Sequence, residues 1–109
     1  MQYEVKHYER NGIDIYQEWL DDLKDIRARL TITRREKQIK SGNFGEHREC
    51  RNGVWELVIN SGPGYRGYYS MVGSTVVLLI CAGDKGKQQR DIDKAVQYLK
   101  EFKERNNLR

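Results

Sequence analysis

Apolar positions along the chain follow two rhythms. Near the start, Tyr3 to His7 alternates weakly and predicts a short strand, and Asn11-Gly12 marks a turn behind it. Asp14, with Gln17 three residues on, reads as a capping box. Tyr16, Trp19, Leu20 and Leu23 then recur at helical spacing, and Ile26 and Leu30 extend the stripe, so an amphipathic helix is expected here. From Asp25 to Lys40 the chain stays compatible with a second helix, which Gly42 should end. After Gly42-Asn43-Phe44-Gly45 the period drops to two, and four strand-like runs follow: Glu46 to Arg51, Val54 to Asn60, Tyr65 to Met71 and Ser74 to Cys81. Asn52-Gly53 is a strong hairpin signal and Gly73-Ser74 can close another, so these runs predict an antiparallel meander. Val76 to Ile80 is apolar on both faces, as in a central strand covered from both sides. Asp91 precedes Ile92, Ala95, Val96, Leu99 and Phe102, which predicts a C-terminal amphipathic helix capped by that aspartate. The expected class is α/β in the α+β sense, with residues 1–109 forming one domain.

Composition adds a bound and a bias. Leu, Ile, Val and Phe make up 25 of the 109 residues, just above the level of roughly 20% below which a highly charged chain tends to stay unfolded. A folded domain with little apolar surplus is expected. The net charge is +4, but residues 1–26 carry −4 and the remainder +8, which suggests a body facing a polyanion. The stretch 27–40, within the second predicted helix, alone holds Arg27, Arg29, Arg34, Arg35, Lys37 and Lys40 against Glu36. The longest apolar run, Val76 to Cys81, is far short of the roughly 20 residues of a membrane span, so no membrane association is expected. The first residues have no signal-peptide pattern. Cys50 and Cys81 match no metal or redox spacing and read as reduced thiols of a cytoplasmic protein.

Three motifs are decoys. Gly62-Pro63-Gly64-Tyr65-Arg66-Gly67 fits a dinucleotide fingerprint in letters, yet a strand follows it instead of a helix N-terminus. Gly83-Asp84-Lys85-Gly86-Lys87-Gln88 lacks the upstream glycine and the hydroxyl of a phosphate-binding loop. His7 and His47 stand apart from any further ligand cluster, so neither a metal nor another cofactor is expected. What remains is cationic. Alternation puts Arg66 on one sheet face with Tyr68 and Ser70, and Lys85 and Lys87 lie just past the next strand, where they can converge with Arg66. Such a cleft suits transesterification in RNA: a 2′-hydroxyl attacks the adjacent phosphate while cations neutralise the phosphoryl oxygens. Glu46 or His47 is the candidate proton acceptor. Arg48, Lys87 and the basic helix with Arg34, Arg35 and Lys37 are candidates for phosphate contacts, and Tyr68 for stacking on a base.

Several blocks carry a family likeness: Trp19-Leu20 with Leu23, Ser41-Gly42-Asn43-Phe44-Gly45-Glu46, Gly53-Val54-Trp55-Glu56-Leu57-Val58-Ile59, Gly62-Pro63-Gly64-Tyr65-Arg66, and Gly83-Asp84-Lys85-Gly86-Lys87-Gln88 with Asp91-Ile92. In this order the chain resembles the RelE/ParE superfamily of toxin-antitoxin toxins, within it the HigB-like addiction module killer group. The resemblance implies a RelE-like fold with two N-terminal helices, a small mainly antiparallel sheet and a C-terminal helix. It implies a ribosome-dependent mRNA endoribonuclease that inhibits translation, or, as in ParE-type members, a non-enzymatic gyrase inhibitor. A plain RNA-binding module is the third reading. The implied partners are the ribosome, mRNA and a helix-turn-helix, HigA-like antitoxin. Arg66 stands at the family's phosphate-binding arginine, Lys85 at a second cationic position, and Glu46, with His47 as its rival, near an acidic one. Two features depart from the pattern: Asp91 falls near the position of a terminal tyrosine or histidine, and Glu56 and Val58 replace paired lysines.

Overall fold

The computed structural model describes residues 2–108. A five-stranded mixed sheet lies between two layers of helix, with Glu4–His7 at one edge, then Val76–Asp84, Tyr65–Val72 and Val54–Ile59, and His47–Arg51 at the other edge. Its strands are β1 (Glu4–His7), β4 (His47–Arg51), β5 (Val54–Ile59), β6 (Tyr65–Val72) and β7 (Val76–Asp84). Strands β4 to β7 form the expected antiparallel meander, and β1 pairs parallel with β7, which makes β7 central. Asn52 and Gly53 both take positive φ between β4 and β5, the geometry of the tight two-residue hairpin that their residue types announced.

A two-residue hairpin, β2 (Glu9–Arg10) with β3 (Ile13–Asp14), turns at Asn11-Gly12 and leads into α1 (Ile15–Asp22). Asp14 caps α1 by accepting from the Gln17 amide at 3.0 Å. The expected stripe does not run on through Ile26 and Leu30. The chain leaves the helix at Leu23, whose backbone is extended, and Asp25 caps a new helix, α2 (Ile26–Lys40), by accepting from the Ala28 amide. The rotation of α2 commits Ala28, Ile32 and Ile39 to the core and turns Ile26 and Leu30 outward. At the far end, α3 (Gln88–Arg105) begins after a short 3₁₀ turn at Lys85–Lys87, three residues before the predicted cap. Asp91 therefore sits inside the first turn and is buried.

The core has two halves. On one face Tyr16, Leu20, Ile32 and Ile39 pack on Leu57, Ile59, Tyr69, Val77 and Leu79. On the other, Ile92, Ala95 and Leu99 of α3 cover Val54, Tyr68, Leu78 and Ile80. None of the helices is long and apolar enough to cross a membrane, among the described residues.

Candidate functional site

The Gly62-Pro63-Gly64 loop enters β6, and Arg66 is its second residue. Pairing of Tyr65 with Asp84 and of Arg66 with Gly83 carries the end of β7 alongside, and the Lys85 amide donates to the Gly64 carbonyl at 3.2 Å. The two residues, 19 positions apart in the chain, thereby come to flank Gly64. A methyl group built on Gly64 would lie 3.3 Å from Lys85 Cδ and 4.0 Å from Arg66 Nη1. Gly64 also has φ +93°, a left-handed conformation that suits glycine, so both backbone and neighbours favour a bare position between the cations.

Arg66 is held from behind. It is 6% exposed, Nη1 donates to the Tyr65 carbonyl at 3.0 Å, and Nε stands 3.6 Å from Glu56 Oε1. Glu56 itself is 0% exposed in an otherwise apolar strand. Its Oε1 accepts from Arg48 Nε at 2.6 Å and its Oε2 from Gln88 Nε2 at 2.6 Å. One carboxylate thus ties β4, β6 and the first residue of α3 to β5. Burial of a single negative charge is tolerated because cations and an amide surround it; removing them would leave it uncompensated. A cleft of about 210 Å³ opens beside this hub, lined by Arg48, Arg51, Glu56, Gln88 and Gln89 among others. Its two arginines are matched by Glu49 and Glu56, while Lys85 is exposed beside Gly64 and Lys87 lines a separate cleft with Asp84, Arg90, Asp91 and Lys94.

Asp91 packs so closely on β7 that a methyl group on Gly83 would collide with its Oδ2. That oxygen is buried without a hydrogen-bond partner among the described residues, and burial pushes the carboxyl above the usual carboxylate range.

No family model matches the chain. A Haemophilus influenzae (strain ATCC 51907 / DSM 11121 / KW20 / Rd) protein that bears the description "uncharacterized protein" is 40% identical over 80 residues, spanning 73% of this chain and 81% of the relative. The chain belongs to that protein's family. For this member, the remaining candidate residues divide by the side of the sheet on which they fall.

Glu46 lies just outside β4. Its carbonyl accepts from the Val58 amide, and Val58 pairs with Arg66, so Glu46 and Arg66 occupy one row across β5. Its carboxylate is exposed and accepts from Asn60 Nδ2 at 3.0 Å. His47 is on the opposite face, stacked with Phe44 and Trp55 and bonded through Nδ1 to Tyr69 Oη at 2.7 Å. Alternation along β4 separates it from Arg66 by the thickness of the sheet. Arg48 is in the site as expected, half of it exposed. Tyr68 is on the Arg66 face but fully buried under α3, so its ring is not offered to a base; burial also drives its hydroxyl well above the usual phenol range.

Arg35 is likewise spent on structure. Nη1 donates to the Val58 carbonyl at 2.7 Å, and Nη2 donates to the carbonyls of Phe44 and Glu46 at 2.8 and 2.9 Å, pinning the loop before β4 to α2. Arg34 and Lys37 are exposed but belong to the helical layer on the far side of the sheet from Arg66. Sequence reasoning missed Glu56 as the hub and Gln88 as its partner. A lone carboxylate inside the apolar run Val54–Ile59 was the available signal for the first; nothing local marks the second.

Proposed function

We propose that the chain is the toxin of a type II toxin-antitoxin system, a HigB-like member of the RelE/ParE superfamily with a RelE-like fold, acting as a ribosome-dependent mRNA endoribonuclease. The observation that carries this reading is the convergence of Arg66 and Lys85 on Gly64. In the proposed reaction a ribose 2′-oxygen attacks the adjacent phosphorus and the bond to the 5′-oxygen breaks. The products are a 2′,3′-cyclic phosphate and a 5′-hydroxyl. Arg66 and Lys85 neutralise charge gathering on the non-bridging oxygens, and Glu56 holds the guanidinium in place from below. Glu46 is the better placed of the two candidate bases, being in the row of Arg66 and exposed. Arg48 and Lys87 contact flanking phosphates, a contribution that weakens steeply with salt. The partners in this reading are mRNA, the ribosome and a helix-turn-helix antitoxin, all in the cytoplasm.

The test is to add purified protein to a translating extract and map mRNA ends. Wild type is expected to cut, and Arg66→Ala to lose a factor of about 10² to 10³ in rate. Equal cleavage by both would remove Arg66 from the mechanism. A second reading, non-enzymatic inhibition of gyrase, is favoured by the turning away of His47, which leaves the cations without an imidazole beside them. Loss of supercoiling activity in a gyrase assay, with mRNA left whole, would establish it instead.

A further inference from the structure

We propose that the cleft beside the end of β7 binds a free nucleotide with an amino-bearing base, the base lying against Trp19 and the phosphate on Arg90 and Lys94. The parallel pairing of β1 with β7 ends at His7 and Leu79, so the last five residues of β7 have no strand on that side. Helices take its place. Ala82 packs with Trp19 of α1 in one half of the core, while Gly83 turns to the other face, where Asp91 of α3 lies against it. The cleft, of about 240 Å³, opens between them. Trp19, Gly83, Arg90, Asp91 and Lys94 line it together with the exposed Asp84 and Lys87.

Each part of the lining matches a part of such a ligand. Trp19 is half-buried and packs edge-to-face with Tyr65, ring centroids 5.8 Å apart, so the cleft has a fixed aromatic wall for stacking. Arg90 and Lys94 stand four apart on α3 and so share a face. Among the described residues Lys94 is in no salt bridge, and Arg90 has only Asp91, with 3.9 Å between Nε and Oδ1. Asp91 is 7% exposed and its Oδ2 has no hydrogen-bond partner, so an amine entering the cleft would meet a carboxyl in want of a donor. Three cations against two carboxylates leave one net positive charge, which suits a single phosphate group better than the backbone of a nucleic acid strand. The volume likewise admits one base and its sugar rather than a run of them. A bare anion would leave the indole unused, and an acidic peptide would be opposed by Asp84 and Asp91. The inference does not rest on the cleavage reading, in which Trp19, Arg90 and Lys94 have no part, and Arg66 does not line this cleft.

Trp19 and Trp55 are the two tryptophans of the chain, and Trp55 lies in the stack with His47, so their indole resonances report on separate places. The isotope-labelled full chain is titrated by NMR with AMP, CMP, UMP, adenosine, inorganic phosphate and a short, uncleavable 2′-O-methyl RNA, each alone. AMP and CMP should move the Trp19 indole and the Arg90 and Lys94 amides saturably, at millimolar concentration or below, and leave Trp55 still. UMP, adenosine and phosphate, each lacking one of the matched parts, should bind about tenfold more weakly. Lys94→Glu should weaken AMP about tenfold, with circular dichroism unchanged because the side chain is exposed, whereas Lys100→Glu, farther along α3, should change nothing. The titration reads the same whether or not the protein cuts mRNA, so either idea can fail alone. Phosphate binding as tightly as AMP would mark an adventitious ion only. That outcome overturns the proposal, as do UMP equal to AMP, a response confined to the RNA, an AMP response untouched by Lys94→Glu, or no response at all.

Discussion

Each face of the sheet gathers partners around one ionisable side chain, and the two sites are built with opposite signs. On the α3 face the carboxylate of Glu56 sits at the centre, with Arg48, Arg66 and Gln88 turned toward it. On the α1/α2 face the imidazole of His7 sits at the centre, with Asp14 at 2.8 Å and Glu36 at 3.2 Å. The first arrangement sets two guanidinium groups against one carboxylate, leaves the outer half of Arg48 exposed and opens onto a cleft. The second is closed: two carboxylates and one imidazole bridge β1, the β2–β3 hairpin and α2, with Tyr16 edge-on to the ring. Charge burial serves attachment between elements in both places. The arithmetic leaves an excess of opposite sign on the two faces: two guanidinium groups against one carboxylate on the α3 face, two carboxylates against one imidazole on the other.

That contrast can be broken in order of expected effect. Glu56→Ala should be the most damaging change, removing about 3–5 kcal/mol of stability by leaving Arg66 buried beside no counter-charge, as read by the urea midpoint. A loss under 1 kcal/mol would mean that the hub is ornamental. Ile32→Ala, on the opposite face, should cost about 2–5 kcal/mol through lost packing and the cavity it leaves, yet spare the RNA affinity proposed for the folded fraction. Equal loss of affinity would couple the two faces. Tyr68→Phe should stabilise by about 1 kcal/mol, because the hydroxyl is buried without a partner; a lower melting temperature would reveal a bond that the geometry lacks.

The smallest effect is a pH dependence. The hydrogen bond to Glu36 is the main force raising the His7 pKa above 6.5, followed by desolvation in opposition and by the charges of Glu36 and Asp14. A raised folded-state pKa stabilises most fully below the unfolded value, and the benefit fades as pH climbs through the folded one. The urea midpoint should therefore fall as pH rises from about 6.5, and His7→Gln should remove that fall. A slope that survives in His7→Gln would assign the titration elsewhere.

How far the chain could be read depended on the range of the interaction. The Asp14 cap on α1 and the Asn52-Gly53 hairpin were legible because each is decided within four residues. The end of α1 was not. Tyr16, Leu20, Ile26 and Leu30 keep a helical rhythm across Leu23–Asp25, and no local term forbids continuation. Asp25 capping a reoriented helix won because it lets Ala28, Ile32 and Ile39 reach the sheet. The α3 start was misread for a related reason: Asp91 has the composition of a cap, but Lys87 already occupies the capping position and Asp91 is pressed against Gly83.

By itself the sequence determined the alternation of strands and helices, the hairpin turns and the placing of Arg66 and Lys85 at two strand ends, since periodicity and turn chemistry act over a few neighbours. Tertiary structure alone decided that Glu56 would gather Arg48, Arg66 and Gln88, that His47 would face away and that Arg35 would be consumed by three carbonyls. Those outcomes depend on which strands become adjacent and in what register. Register is a property of the whole sheet, and a one-residue shift of a strand would send His47 and Arg48, Glu56 or Arg66 to the other face, away from the helix residues Gln88 and Arg35 that meet the sheet.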